Sequence, residues 1–221
     1  MTSGGFVVYG AAGSGSVPVE AAMTLLGLDY TVVEGATWTG DEAILARVGA
    51  VNPLRQIPAL VTPGGETVTE SGAILTWLAD TFRDGAAGPL SPGLDDPRRA
   101  QFLRWMTYIP AAIYSLFWVR DEPTRLVPAE LADEVKAKTA ERIADCWAMM
   151  DSQVSPGRYL LGEEMSVLDL YVAVVSRWSP RRTRFYREAP KLAAVVRRVD
   201  EDPRLAEFWA ARFPFSEGWE G

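Results

Sequence analysis

Residues 84–97, DGAAGPLSPGLDDP, divide the chain into two stretches with different hydrophobic periods. Gly, Pro and Asp at that density sustain neither a helix nor a strand, so the segment reads as a linker. Upstream, short β-branched runs alternate with helical patterns. Downstream, nearly every apolar residue follows a 3.6-residue period. This layout predicts an α/β domain over 1–83 and an all-α domain over 98–221.

The first stretch can be parsed further. Phe6-Val7-Val8-Tyr9 reads as a buried strand that stops at Gly10, and GAAGSGS (10–16) as a turn. Residues 17–26 read as a helix with Ser16 as N-cap, Pro18 in the first turn and Gly27 just past the end. Residues 29–34 (DYTVVE) read as a second strand, completing a β-α-β unit. A weaker helix over 41–48 is broken at Asn52-Pro53. Residues 57–62 and 66–69 flank Pro63-Gly64-Gly65 and form a hairpin. From Ser71 a helix follows, marked by Ile74, Leu75, Leu78, Ala79 and Phe82. The domain has room for four strands and three helices.

In the second stretch, Phe102, Trp105, Met106, Ile109, Ile113, Leu116 and Phe117 share one helix, which Pro110 should kink. Leu131 to Met150 carries another. Ser166-Val167-Leu168-Asp169 fits a capping box, with Met165 and Leu170 as its hydrophobic staple. The apolar helix after it should run to about Trp178 and be central. Two shorter helices fill 189–212.

Composition removes whole classes of chemistry. The chain has no histidine, which excludes Ser-His-Asp triads, Cys-His dyads and His-ligated metals. Its single cysteine, Cys146, excludes an intrachain disulfide, a CxxC pair or a Cys-rich zinc site. With 22 basic and 29 acidic residues the net charge is −7, so no global basic footprint for nucleic acid exists. No signal peptide or membrane-spanning run is evident, and a cytoplasmic protein is expected.

Two segments carry binding chemistry. In Gln56-Ile57-Pro58-Ala59-Leu60 a proline opens a strand, a position suited to a cis bond. It would leave the Ile57 amide and carbonyl facing outward to pair with an extended peptide. In Glu70-Ser71-Gly72-Ala73-Ile74, Ser71 begins a helix whose free N–H groups suit a carboxylate, and Glu70 can hold an ammonium. The same residues also read as a strand-start proline and an ordinary helix cap. The turn over 10–16, with Glu34 ending the next strand, invites a dinucleotide reading. A hairpin and helices follow it rather than further βα units, and no Lys follows the glycines, which excludes a P-loop.

In its residues 51–60 (VNPLRQIPAL), the ESGAI segment at 70–74 and the capping box at 166–169, in this order and spacing, the chain resembles a cytosolic glutathione transferase over essentially its full length. The match looks closest to serine-type, theta-like members. The resemblance implies a thioredoxin-like N-terminal domain, an all-helical C-terminal domain and a homodimer. It implies glutathione as cosubstrate: Ile57 pairs with the cysteinyl backbone, Pro58 is cis, Glu70 and Ser71 hold the γ-glutamyl group, and Gln56 contacts the peptide. Arg55 stands where many members carry a smaller residue or Gly.

The implied reaction needs the glutathione sulfur as thiolate. Lowering a thiol pKa of roughly 8.5 by ~2 takes about 2.7 kcal/mol. One hydrogen bond to the charged sulfur supplies about 1.5–3 kcal/mol and a helix N-terminus about 0.3–1 kcal/mol, so one hydroxyl suffices. Ser14, Tyr9 and Ser16 compete for that role. Ser14 has the spacing of the catalytic serine of theta-like members, Tyr9 ends the strand where tyrosine-type members carry their phenol, and Ser16 lies nearest the helix start. Cys146 reads as a small buried apolar residue.

The electrophile, small and apolar, would lie between the domains, with Tyr108, Trp105 and Ala112 as its contacts; an aromatic stripe on a helix also reads as core. The expected activity is glutathione transfer. A glutathione-dependent reductase or isomerase, or a non-enzymatic dimeric binding module, stands as the alternative.

Overall fold

The computed structural model describes residues 5–178 and 181–221. The chain forms two compact units. One comprises the segment up to Leu94 together with Asp200–Phe215; the other comprises Asp95–Val199 together with Ser216–Gly221.

The first unit carries a four-stranded sheet. Strands β1 (Phe6–Gly10) and β2 (Tyr30–Glu34) are parallel, joined by α1 (Val17–Leu26). β3 (Ala59–Val61) runs antiparallel to β1 and to β4 (Thr67–Thr69), giving the order β2-β1-β3-β4. Helix α2 (Glu42–Gly49) follows β2 and α3 (Ser71–Thr81) follows β4. This is the thioredoxin-like layout expected from the β-α-β and β-β-α segments.

Local chemistry explains the boundaries. Gly27 adopts φ 70° and closes α1, its amide bonding to Thr24 while Leu28 bonds to Met23. Asp41 caps α2 by accepting from the amides of Ala43 and Ile44. Helices α1 and α3 pack together, burying Val17, Val19, Leu25, Ile74, Leu75 and Leu78. Ser16 occupies the N-cap position of α1, but its hydroxyl makes no cap bond. A carboxylate on the helix has taken it instead, as described below.

The second unit is helical. Its helices are α4 (Arg99–Tyr108), α5 (Ser115–Asp121), α6 (Ala132–Gln153), α7 (Val167–Val175), α8 (Arg181–Glu188) and α9 (Pro190–Asp200). Pro110 lacks the N–H an α-helix needs, and α4 continues as a π-helical stretch over Ile109–Tyr114 before α5 resumes. The capping box forms as expected. Asp169 is fully buried and accepts from the Ser166 amide and hydroxyl and from the Leu160 amide, each at 2.8 Å. Every residue of α7 is buried, and the helix ends at Val175, short of Trp178. Helix α8 is absent from the sequence reading because RRTRFYRE offers only Phe185 as a buried apolar side chain.

Helix α10 (Ala206–Arg212) belongs to the sheet-bearing unit, where it packs on α1. Among the described residues, no helix is long and apolar enough to cross a membrane.

Candidate functional site

Three chain segments meet at one rim of the sheet. Tyr9 pairs with Ala59, and Ala59 with Thr69. One step further, Pro58 lies between Gly10 and Glu70. The turn after β1, the Ile57-Pro58 step and the start of α3 are thereby neighbours, although 60 residues of sequence separate Gly10 from Glu70.

The Ile57-Pro58 peptide is cis. The Ile57 amide and carbonyl make no hydrogen bond with the described residues. Asn52, buried, shapes the approach: its Nδ2 donates to the Gln56 carbonyl at 2.9 Å and its Oδ1 accepts the Leu54 amide at 3.1 Å. Gln56 itself is exposed. Arg55 takes φ 53°, a left-handed conformation that glycine adopts with least cost. Across the hairpin, Glu70 is exposed at φ 66° and precedes the buried Ser71 at the first position of α3. The first intrahelical bond there runs from the Ile74 amide to the Glu70 carbonyl, so the N–H groups of the preceding turn lie outside the helix ladder.

In the turn over 11–16 the two serines are not equivalent. Both are buried, Ser16 completely. Ser16 Oγ lies 2.6 Å from Glu20 Oε1, 3.0 Å from Ser14 Oγ and 3.3 Å from the Ala11 carbonyl. A hydroxyl has one proton, and the carboxylate is the shortest and most strongly accepting partner. Ser16 therefore donates to Glu20. Ser14 Oγ accepts from the amides of Ser16 at 3.1 Å and Ala11 at 3.3 Å. Among the described residues, the only acceptor for its own proton is Ser16 Oγ, 3.0 Å away.

Gly10 makes this arrangement possible. A Cβ on Gly10 would lie 2.3 Å from Ser16 Oγ and 3.1 Å from Glu20 Oε1. Because side chains alternate along a strand, that geometry also directs Tyr9 to the opposite face of β1 from Ser16 and Glu20.

Glu20 is fully buried and is held by Arg212 of α10, whose Nε and Nη2 reach its carboxylate at 2.6 and 3.2 Å. Arg212 Nη1 bonds Glu34 at 2.8 Å. Burial pulls the Arg212 pKa down, but the hydrogen bonds to Glu20 and Glu34 outweigh it and hold the guanidinium above its ordinary range. The Arg212 carbonyl accepts the Gly13 amide at 2.9 Å. Glu20 escaped the sequence reading, which also gave Asn52 and Arg212 no part in this hydrogen bonding. The only signal was a lone acid, Glu20, among the apolar residues of α1.

In the helical unit, Trp105 is buried edge-on to Tyr108, with ring centroids 5.3 Å apart. The half-buried Tyr108 donates its hydroxyl to the Cys146 carbonyl at 3.0 Å. Burial first, and then contact with Cys146, push the Tyr108 pKa well above the usual phenol range. Ala112 lies half-buried on the π-helical stretch. Cys146 is a free, buried thiol.

Comparison with known proteins points one way. Residues 14–81 match the model of the glutathione S-transferase N-terminal domain, and residues 124–212 that of the C-terminal domain. The uncharacterized GST-like protein YncG of Escherichia coli (strain K12) is 28% identical over 200 residues, covering 90% of this chain and 95% of that one. A glutathione transferase homolog from Sulfitobacter, solved with bound glutathione, superposes with a TM-score of 0.80 at 25% identity, covering 92% of this chain and 96% of that one. A sphingomonad glutathione S-transferase complexed with glutathione gives 0.75 at 25% identity, covering 93% and 98%.

Proposed function

This chain is a member of the glutathione S-transferase family, and from that premise we propose that it binds glutathione along the rim from Ile57 to Ser71 and activates its thiol with Ser14. The reading is of a serine-type, theta-like member. The observation that carries it is the unequal pair of serines: Glu20 consumes the Ser16 proton, which leaves Ser14 as the donor. The alternation along β1 supports Ser14 over Tyr9, because Tyr9 faces away from Ser16.

The tripeptide backbone would pair with the Ile57 amide and carbonyl, as an added strand does. Glu70 would receive the γ-glutamyl ammonium, and Ser71 with the first turn of α3 its carboxylate. Gln56 would contact the peptide at the exposed end. The thiol proton leaves to solvent and the Ser14 hydroxyl donates to the sulfur anion. A sulfur lone pair then attacks the electrophilic carbon. With an aryl halide, a C–S bond forms and halide departs with its bonding pair. Tyr108, Trp105 and Ala112 are the proposed contacts for a small apolar electrophile. A cytoplasmic homodimer, without nucleic-acid or membrane partners, completes the proposal.

Retention on immobilised glutathione followed by turnover of an aryl halide tests this reading. Retention with turnover is expected, and Glu70→Ala should elute earlier. Retention without turnover would instead identify a binding module, and no retention at all would overturn the proposal.

A further inference from the structure

We propose that Arg212 is a positioning residue for thiol activation, acting on Ser14 through Glu20 and Ser16. The inference rests on the reading of Ser14 as the thiolate partner. Arg212 reaches the serine turn by two routes, one through Glu20 of α1 and one through its own carbonyl. Its guanidinium takes both oxygens of Glu20, whose Oε1 receives the Ser16 proton at 2.6 Å, and its carbonyl receives the Gly13 amide. A third arm reaches Glu34 at the end of β2, so one side chain ties α10 to α1 and to the sheet.

Each link in that chain limits the next. A bidentate guanidinium–carboxylate pair fixes the carboxylate in its plane. The fixed carboxylate holds Ser16 Oγ, and Ser16 sets Ser14 by two contacts, its amide at 3.1 Å and its Oγ at 3.0 Å. Arg212 also balances a carboxylate that is wholly removed from water. Without it, no other cation among the described residues holds Glu20 in place, Ser16 turns, and Ser14 loses its aim. Among the described residues, the Ile57 amide and carbonyl and the Glu70 carboxylate form no hydrogen bond with this network, so affinity and activation should separate.

The test is a double-mutant cycle on the thiol pKa of bound glutathione, followed by thiolate absorbance, with kcat and glutathione KM measured alongside. Arg212→Met should raise the bound thiol pKa by about 1, a tenfold loss of thiolate at low pH, with glutathione KM within about twofold. Ser14→Ala should raise it as well. In the Ser14→Ala background, Arg212→Met should add nothing, because the two residues act as one unit. Arg212→Lys, which keeps a cation but loses the fork, should fall between Met and wild type, and it serves as the test should Arg212→Met not fold.

Equal increments from Arg212→Met with and without Ser14 would overturn the proposal, showing a direct charge effect. So would an unchanged thiol pKa in a folded Arg212 variant while Ser14→Ala shifts it. If Ser14→Ala itself leaves the pKa unchanged, the assignment of Ser14 fails as well, and both readings fall together.

Discussion

Replacing Gly10 by alanine adds one carbon and two hydrogens, yet the structure predicts a large effect. The new Cβ would lie 2.3 Å from Ser16 Oγ and 2.5 Å from Ser16 Cβ. Carbon atoms pack at about 3.5–4.0 Å, so Ser16 would have to retreat by about 1 Å or more. Its 2.6 Å bond to Glu20 would then stretch past the normal range. Overpacking costs about 1–3 kcal/mol and loss of a hydrogen bond to a charged group about 1.5–3 kcal/mol. The expected destabilisation is about 3–5 kcal/mol. In urea, with a slope of about 2–3 kcal/mol/M, the midpoint should fall by about 1–2 M at fixed protein concentration. A displacement of that size in the turn proposed to activate the thiol should also lower kcat by about 10²-fold. Gly10→Ala combined with Ser16→Gly removes the atoms that collide and should recover about half of the lost stability. Gly10→Ala within about 1 kcal/mol of wild type, or a double variant no better than the single one, would refute the reasoning.

Other consequences can be checked independently. Asn52→Ala frees the Gln56 carbonyl and the Leu54 amide, and should raise glutathione KM several-fold at a stability cost of about 1–3 kcal/mol, read from binding calorimetry and urea melts. Arg55→Gly relieves a left-handed φ of 53° and, after the added freedom of the unfolded chain, should stabilise by about 0.5–1 kcal/mol; a lower midpoint would contradict this. Burial pushes the Asp169 carboxyl up to about 6, despite the bonds from Leu160 and Ser166. The folded state thus holds this proton to higher pH than the unfolded chain, whose carboxyl has a pKa near 3.9. The contribution to stability is complete below about pH 4 and is lost as pH rises through about 6, by about 3 kcal/mol, and Asp169→Asn should flatten that part of the stability–pH curve.

What sequence could deliver follows the range of its signals. The β-α-β unit, the hairpin and the capping box are local patterns, each written in fewer than about 35 residues, and each formed where its residues predicted. The cis Ile57-Pro58 step and the start of α3 were legible for the same reason. Helix α8 was not, because an arginine-rich segment that buries few apolar side chains gives no periodic signal. The inequality of Ser14 and Ser16 was also invisible. It depends on Glu20 and on Arg212, 192 residues apart, and on a backbone approach at Gly10 that only the folded sheet creates. Spacing in a glycine-rich turn favoured Ser14 without settling the choice; the 2.6 Å contact between Ser16 and Glu20 is the observation that supports it.

The most direct measurement is the titration of the glutathione thiol in its complexes with the wild type and with Ser14→Ala. The account predicts a wild-type thiol titrating about 2 pH units below a free thiol of roughly 8.5, and a Ser14→Ala complex within about 0.5 of the free value. Identical titrations in the two complexes, with glutathione bound in both, would contradict it.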